Sequence, residues 1–331
     1  GSEMCIRDRT NCINKCQKSD GREAEGMFQK TVVVDNTGMN EWAKKRLGEL
    51  SEEVVFYDDF PTDSDEITER VKDADCLMVS YCTLITRQIL EKCPKLKYIG
   101  MCCTLYNEKS ANVDVAYARE RGIVVRGITD YGDGGVIEFA VSALADLLHG
   151  FKGHQWKERP NEFYNQKIGI VGMGNTGFKL ARVLKLMEAD VSYSDLRCCE
   201  EAEKLGICRR TLEELLKEND IICTLLPKNT CLLREKEFEL FGNGKIIVNT
   251  SIGPTFDVEA MKKWLSRENN YYICDGVGIG DTWEQLHECP NMIYTERCAG
   301  SSEQCTLRLS EKSIENVEHF LEEILKKEET R

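Results

Sequence analysis

One stretch of this chain restricts its possible folds more than any other. Residues 167–195 read KIGIVGMGNTGFKLARVLKLMEADVSYSD. An apolar run leads directly into Gly172, Gly174 and Gly177, spaced G-x-G-x-x-G, and a helical pattern follows the third glycine. A second apolar run then ends at Asp195. A strand, a glycine turn, a helix and a second strand in this order predict a βαβ unit with parallel strands.

Each part of this unit suits a dinucleotide ligand. The first glycine permits the tight turn, the second lets the backbone approach a pyrophosphate, and the third lets the helix pack closely on the strand. The helix N-terminus offers unpaired N–H groups to the phosphates. Asp195 follows Gly177 by eighteen residues. An acid at this spacing accepts hydrogen bonds from the adenosine ribose and repels a 2′-phosphate, so the stretch predicts NAD. Arg197 nearby leaves NADP as an alternative.

The rest of the chain from Phe28 onward also alternates strands and helices. Before the glycine loop, strands are predicted at 30–35, 53–58, 76–81, 96–102 and 122–127, and helices at 40–50, 64–74, 86–93 and within 134–151. After it, the alternation continues through 211–220, 221–227, 245–251, 258–265, 271–278 and 292–300, and closes with a helix at 310–327. This rhythm predicts parallel sheets with helical crossovers. A chain of 331 residues is too long for one ordinary core, so two domains are expected.

Composition argues against several classes of partner. The net charge of −13 and the pI of about 5.0 disfavour a surface for nucleic acid or anionic membranes. No apolar run approaches the roughly 18 residues of a membrane span. The seventeen cysteines are scattered, many of them within apolar runs, which predicts reduced, buried thiols in a cytoplasmic protein and no metal site. Residues 1–26 are polar and are expected to be a disordered or artefactual tail.

Several motifs together carry a resemblance to a known family. They are the glycine loop, LLPKNT at 225–230, VNTS-x-G at 248–253, and Ala299-Gly300 before the last helix. Over roughly residues 28–327 the chain resembles the D-isomer-specific 2-hydroxyacid dehydrogenases. The resemblance implies an α/β fold of two doubly wound, parallel-sheet (Rossmann-like) lobes with a cleft between them. It further implies a substrate lobe of residues 27–129 plus 301–331, an NAD-binding lobe of residues 130–300, and a homodimer built on the cofactor lobes.

The resemblance also assigns cofactor contacts by position. The glycine loop with Asn175, Thr176 and Asp195 would line the phosphates and ribose. The adenosine side and the neighbouring strand end would be formed by Leu226, Pro227, Thr230, Thr250 and Ser251. Asp275 falls where the family keeps an acid that holds the nicotinamide carboxamide.

Three positions depart from the family's catalytic pattern. The family uses an arginine to clamp a carboxylate, a histidine to exchange a proton, and a glutamate to support that histidine. By position these are Ile252, Arg297 and Gly280 here. Isoleucine cannot pair with a carboxylate, and arginine stays protonated, so it is a poor general acid or base. Arg297 can still hold an anionic substrate group.

Other candidate proton donors lie on loops expected to face the cleft: Tyr106, Tyr131, Asp281, Glu284 and His287. His287 has the alternative of an ordinary surface histidine, and Cys102 is interpreted as a packed thiol rather than a nucleophile.

The pattern leaves three functions open. The favoured one is an NAD-dependent oxidoreductase acting on a non-standard carbonyl, imine or anionic small-molecule substrate. The second is an inactive NAD-sensing regulatory protein. The third is an enzyme that uses tightly held NAD transiently, for elimination or epimerisation. An ordinary 2-hydroxyacid dehydrogenase is disfavoured because all three catalytic positions differ.

Overall fold

The computed structural model describes residues 26–108, 111–228 and 230–329, with side chains as far as Lys327. The predicted tail, residues 1–26, lies outside this range except for Gly26, which is placed in a turn. In the described part, no helix is both long enough and apolar enough to cross a membrane.

The first half of the chain builds a five-stranded parallel sheet in the order β2-β1-β3-β4-β5. Its strands are β1 (Phe28–Val33), β2 (Ser51–Phe56), β3 (Cys76–Val79), β4 (Tyr98–Met101) and β5 (Val124–Arg126). The helices between them are α1 (Glu41–Glu49), α2 (Ser64–Val71), α3 (Arg87–Glu91) and α4 (Val115–Glu120). The long helix α5 (Asp133–His149) follows and ends at Gly150, whose φ of +74° suits a glycine C-cap, as predicted.

The second half builds a seven-stranded parallel sheet in the order β12-β11-β10-β9-β6-β7-β8. Its strands are β6 (Lys167–Val171), β7 (Asp190–Ser194), β8 (Cys208–Arg209), β9 (Ile221–Thr224), β10 (Ile246–Asn249), β11 (Tyr271–Cys274) and β12 (Met292–Tyr294). Its helices are α6 (Asn175–Leu186), α7 (Glu200–Lys204), α8 (Leu212–Glu218), α9 (Glu235–Phe241), α10 (Val258–Leu265) and α11 (Trp283–Leu286). The central strands are buried along nearly their whole length, as parallel strands covered on both faces must be.

The last helix, α12 (Glu303–Glu329), returns to the first sheet. The ring of Phe320 stacks on Phe28 at 5.7 Å and lies 4.8 Å from Tyr98. These aromatic contacts bury the apolar face of α12 in the core of the first lobe. The predicted architecture of two parallel α/β lobes is therefore confirmed.

The two chain segments that join the lobes pack backbone to backbone. A Cβ at Gly135 would lie 2.1 Å from the carbonyl oxygen of Ala299, and one at Gly132 would lie 3.2 Å from that of Gly300. A side chain at Gly135 would force the segments apart, so glycine permits this close approach.

Several predicted boundaries differ from the structure. The segment 292–300 is a strand only over its first three residues, and α4, α7, α9, α11 and β8 were not predicted. These elements are two to seven residues long, and windows this short carry little periodicity.

Candidate cofactor and substrate site

The second sheet reverses its strand order beside β6. The next strand in sequence, β7, pairs on one side of β6, and β9 pairs on the other. In open parallel sheets, ligands bind outside the carboxyl ends of the strands at such a switch point. The glycine loop follows β6 directly, so the fold places it at this position.

The three glycines of the loop have different surroundings. Gly172 has φ of +99°, and a Cβ there would lie 2.3 Å from the carbonyl oxygen of Leu225. A Cβ at Gly177 would lie 2.1 Å from the carbonyl oxygen of Gly172. At Gly174, by contrast, a Cβ would meet no other atom of the described residues within 4 Å. Two glycines are therefore required by internal packing, and Gly174 faces an open cradle that fits a pyrophosphate at the N-terminus of α6.

The carboxylate of Asp195 lies against this loop. Its two oxygens accept hydrogen bonds from the backbone N–H groups of Met173, at 2.7 Å, and Arg197, at 2.9 Å. The guanidinium of Arg209 donates to the carbonyl oxygens of Asp195 and Leu196, at 2.8 and 3.0 Å. The acid is thus held in place, and each carboxylate oxygen keeps a further lone pair for a ribose hydroxyl.

The side chains of Asn175 and Thr176 bind a residue that the sequence did not single out. Asn175 Nδ2 and Thr176 Oγ1 donate to the carboxylate of Asp133, at 2.8 and 2.7 Å, and Lys179 Nζ lies 2.8 Å from the same group. Burial alone would raise the pKa of Asp133, but the hydrogen bonds from Lys179, Thr176 and Asn175 outweigh it and lower that pKa. The only sequence signal was an acid at the start of a long helix.

A buried polar network shapes the loops after β9 and β10. The hydroxyl of Ser251 accepts from the backbone N–H of Leu226, at 2.8 Å, and donates to the carbonyl oxygen of Thr224, at 3.1 Å. The amide of Asn249 donates to the carbonyl oxygens of Gly253 and Gly278, at 3.1 and 2.9 Å. Satisfied buried networks of this kind fix loop geometry. The structure therefore shows Ser251 buried within this network.

The other predicted adenosine-side residues lie nearby in sequence and are more accessible: Pro227 is exposed, whereas Thr230 and Thr250 are half-buried.

Asp275 links two loops. It is buried, and its two carboxylate oxygens accept from the backbone N–H groups of Gly278 and Ala299, both at 2.7 Å. The residue therefore ties the turn after β11 to the segment that joins the lobes.

The structure brings together two of the three positions that the resemblance assigns to the family's catalytic residues. Ile252 follows β10 and is 40% exposed. Gly280 has φ of +55°, and a Cβ there would lie 2.9 Å from Cδ of Pro254 and 3.2 Å from Cα of Gly253. The loop that carries Ile252 therefore packs on Gly280, and a longer side chain at 280 would meet both this loop and a left-handed backbone.

Arg297 lies on an exposed segment after β12. Its carbonyl oxygen accepts from the backbone N–H of Gly276, at 3.0 Å, which fixes the segment beside β11. Within the described ranges its guanidinium forms no ion pair.

Two of the predicted proton donors, His287 and Tyr106, are exposed to solvent. Nδ1 of His287 is 2.9 Å from the carbonyl oxygen of Trp283, and the two rings stack at 5.4 Å. His287 is exposed at the end of α11, and the contacts of its ring are with its own helix. Tyr106 is 67% exposed on the loop after β4.

The remaining candidate residues differ in how far they are buried. Tyr131 is half-buried, and burial raises its pKa, whereas Asp281 and Glu284 are exposed. Cys102 is buried, and burial raises the pKa of its thiol to about 12, which confirms the prediction of a packed thiol.

The first lobe contributes a residue that the sequence analysis missed. Tyr81 follows β3 and is 47% exposed. The preceding residue, Ser80, donates through its N–H and hydroxyl to the buried carboxylate of Asp35, at 2.9 and 2.6 Å. Asn112 donates to the carbonyl oxygen of Ser80 at 2.7 Å. Partial burial, together with Cys82 and Cys298, raises the pKa of Tyr81 to about 12. The hydrogen bonds of Ser80 fix the backbone immediately before Tyr81.

Comparisons with known proteins agree with this architecture. The family model of the D-isomer specific 2-hydroxyacid dehydrogenase NAD-binding domain matches residues 140–299. A glyoxylate reductase from Pyrococcus furiosus is 30% identical over 315 residues, which cover 88% of this chain and 90% of that protein. The chain therefore belongs to the D-isomer specific 2-hydroxyacid dehydrogenase family, and its cofactor is NAD(H).

Other relatives are similar along nearly their whole length. A hydroxypyruvate reductase from Blautia hydrogenotrophica is 27% identical over 320 residues, covering 88% of this chain and 97% of that protein. The solved structure of an acyclic imino acid reductase in complex with NADPH and D-Arg superposes with a TM-score of 0.73 at 22% identity. That match covers 89% of this chain and 98% of the other. At this identity the likeness shows the fold alone.

Proposed function

We propose that this protein is an NAD-dependent oxidoreductase that reduces an imine or carbonyl compound carrying an anionic group, rather than a standard 2-hydroxyacid substrate. One contrast carries the proposal. The glycine cradle is complete, whereas the three positions of the family's catalytic residues hold Ile252, Gly280 and Arg297. A complete cofactor site favours a protein that uses the cofactor in a reaction. Different residues at the catalytic positions favour a substrate other than a 2-hydroxyacid.

The cofactor side follows from the loop geometry. Gly172, Gly174 and Gly177 would let the pyrophosphate approach the N-terminus of α6, and Asp195 would accept the ribose hydroxyls. The negative charge of Asp195 supports a preference for NAD over NADP. By position in the family, Leu226, Pro227, Thr230, Thr250 and Ser251 would form the adenosine side, and Asp275 would support the nicotinamide end.

The substrate side follows from charge. The guanidinium of Arg297 is exposed and forms no ion pair among residues 26–108, 111–228 and 230–329. A permanently protonated group of this kind binds an anion but does not shuttle a proton. Ile252, which is 40% exposed, would present an apolar surface where the family has a cation. We therefore assign Arg297 the anionic group of the substrate and Ile252 an apolar contact.

Proton supply distinguishes imines from ketones. When bound, NADH would supply a hydride to the electrophilic carbon. A ketone then needs a proton on its oxygen, for which the phenols of Tyr81 and Tyr106 are the candidate donors. A protonated imine already carries that proton and becomes a neutral amine on receiving the hydride, so it needs no general acid. Reduction of an imine is therefore the reaction least affected by the absence of a histidine at position 297.

We extend the proposal to organisation and surroundings. The described cysteines are free thiols, which supports a reducing, cytoplasmic compartment. By family resemblance, residues 27–129 with 301–331 would form the substrate lobe, residues 130–300 would form the cofactor lobe, and the protein would be a homodimer.

One observation favours a second candidate function. The loop of Ile252 to Pro254 packs on Gly280, so a side chain at the position of the family's glutamate would meet this loop. A protein that binds NAD(H) without turnover, as a sensor, would show this arrangement as well.

The test is a titration followed by a substrate panel. Nicotinamide fluorescence should show tighter binding of NADH than of NADPH. Oxidation of NADH, followed at 340 nm, should then be faster with 2-oxoacids premixed with an amine, which form imines, than with the 2-oxoacids alone. Arg297→Met should raise KM for anionic substrates, whereas Arg267→Met, on a surface loop, should not. Binding without turnover across the panel would favour the sensor, and absence of NADH binding would refute both functions.

A further inference from the structure

The first two turns of α6 direct three side chains to one carboxylate. Asn175, Thr176 and Lys179 all bind Asp133, at 2.8, 2.7 and 2.8 Å. Residues 175 and 179 are four apart and lie on one face of the helix. Asp133 therefore occupies the flank of the same helix turn that receives a dinucleotide pyrophosphate.

A second carboxylate shares the same ammonium group. Asp130 lies 3.4 Å from Lys179 Nζ and belongs to the segment that joins the lobes. Its backbone has φ of +61°, a conformation that asparagine and aspartate tolerate better than most residues. Two acids and one lysine therefore lie beside the glycine loop, and the guanidinium of Arg308 donates to the carbonyl oxygen of Tyr131, between the two acids in sequence. The carboxylate of Asp133, next to the helix terminus, opposes an anionic ligand that the terminus itself attracts.

We propose that Asp133 sets the affinity for the dinucleotide, because it competes with the pyrophosphate for the polar side chains on the first two turns of α6. Lys179 is the cation for which they compete. When the phosphates bind, Lys179 turns from Asp133 and Asp130 toward them, and this exchange subtracts from the affinity of the cradle. The inference rests on the proposed placement of the pyrophosphate at Gly174.

Two variants with opposite expected effects on the Kd for NADH test this exchange. Asp133→Asn removes one negative charge and frees Lys179, so the Kd for NADH should fall about 3- to 10-fold. Lys179→Met removes the recruited cation, so the Kd should rise by roughly 10-fold. The matched control is Asp146→Asn. Asp146 pairs with Lys152 at the far end of α5, so this variant changes the net charge equally but away from the loop.

The probes separate electrostatics from misfolding. NADH is titrated by fluorescence, and ADP-ribose and adenosine are measured by competition with it. Asp133→Asn should tighten ADP-ribose but not adenosine, which lacks phosphate, and the gain should shrink at about 0.5 M NaCl.

The outcomes are distinct. Equal affinities for Asp133→Asn and Asp146→Asn, or equal tightening of adenosine, would overturn the inference while leaving the proposed function intact. Failure of the wild-type protein to bind NADH would overturn the placement of the dinucleotide and the inference with it.

Discussion

Replacing Gly174 with alanine should remove most of the cofactor affinity of this protein while leaving its stability nearly unchanged. A Cβ there would meet no described atom within 4 Å, and the φ of −72° is favourable for alanine. Alanine in place of glycine at a helix N-cap costs less than about 1 kcal/mol. The new methyl group would, however, occupy the place where the backbone approaches a phosphate.

The loss of affinity can be worked from the hydrogen bonds at stake. A phosphate pushed outward loses at least one bond from a backbone N–H, and bonds to charged groups contribute about 1.5–3 kcal/mol. At about 1.4 kcal/mol for each tenfold, the Kd for NADH should rise roughly 10- to 100-fold.

Gly177→Ala should have the opposite profile. Its Cβ would lie 2.1 Å from the carbonyl oxygen of Gly172, so α6 must move by about 1 Å to restore ordinary contact. Overpacking of this kind costs about 1–3 kcal/mol, and the better helix propensity of alanine returns at most about 1 kcal/mol. The unfolding free energy should therefore fall, and NADH binding should fall with it because the loop is displaced.

The control is Gly48→Ala, in α1. A Cβ at Gly48 would also meet no described atom within 4 Å, so this variant should gain about 0.5–1 kcal/mol. The assay is denaturant unfolding of the three cofactor-free variants, followed by NADH titration of each. The reasoning would be refuted if Gly174→Ala lost as much stability as Gly177→Ala, or if it bound NADH like the wild type.

Four further predictions concern Ile252, Gly280, the cysteines and Asp133. Ile252→Arg should fold normally but gain no D-lactate oxidation, measured with NAD, because no proton acceptor is restored. Gly280→Glu should lose about 1–2 kcal/mol of unfolding free energy in denaturant, because the left-handed backbone at 280 and the proline packed on it oppose a side chain. In Ellman titration of the native protein at pH 8, Cys82→Ser should remove one fast-reacting thiol, whereas Cys102→Ser should remove none, because Cys102 is buried and its thiol pKa is raised to about 12. The pKa of Asp133 is lowered on folding, so its carboxylate stabilises the fold at pH values above its unfolded pKa of about 3.9, and this stabilisation is lost as the pH falls through the folded pKa. The loss of unfolding free energy in Asp133→Asn, measured by urea unfolding, should therefore shrink from pH 7 towards about pH 3. A loss that does not change with pH would contradict this.

The sequence by itself determined the local features of this protein. The spacing of Gly172, Gly174 and Gly177 predicted a strand, a turn and a helix, and the structure forms all three. The long helix ends at Gly150 as predicted. These features could be predicted because each depends on residues close together in sequence, either through the period of the apolar positions or through the backbone freedom of a glycine.

Tertiary structure decided which residues meet around the loop. Asp133 is 42 residues from Asn175 in sequence and binds its side chain, and Gly280 packs on the loop of Ile252. Ser80, immediately before Tyr81, bonds to Asp35, which is 45 residues away in sequence. Contacts of this kind depend on how two sheets and their connections are arranged in space, and the periodicity and turn chemistry of a single sequence do not encode that arrangement locally.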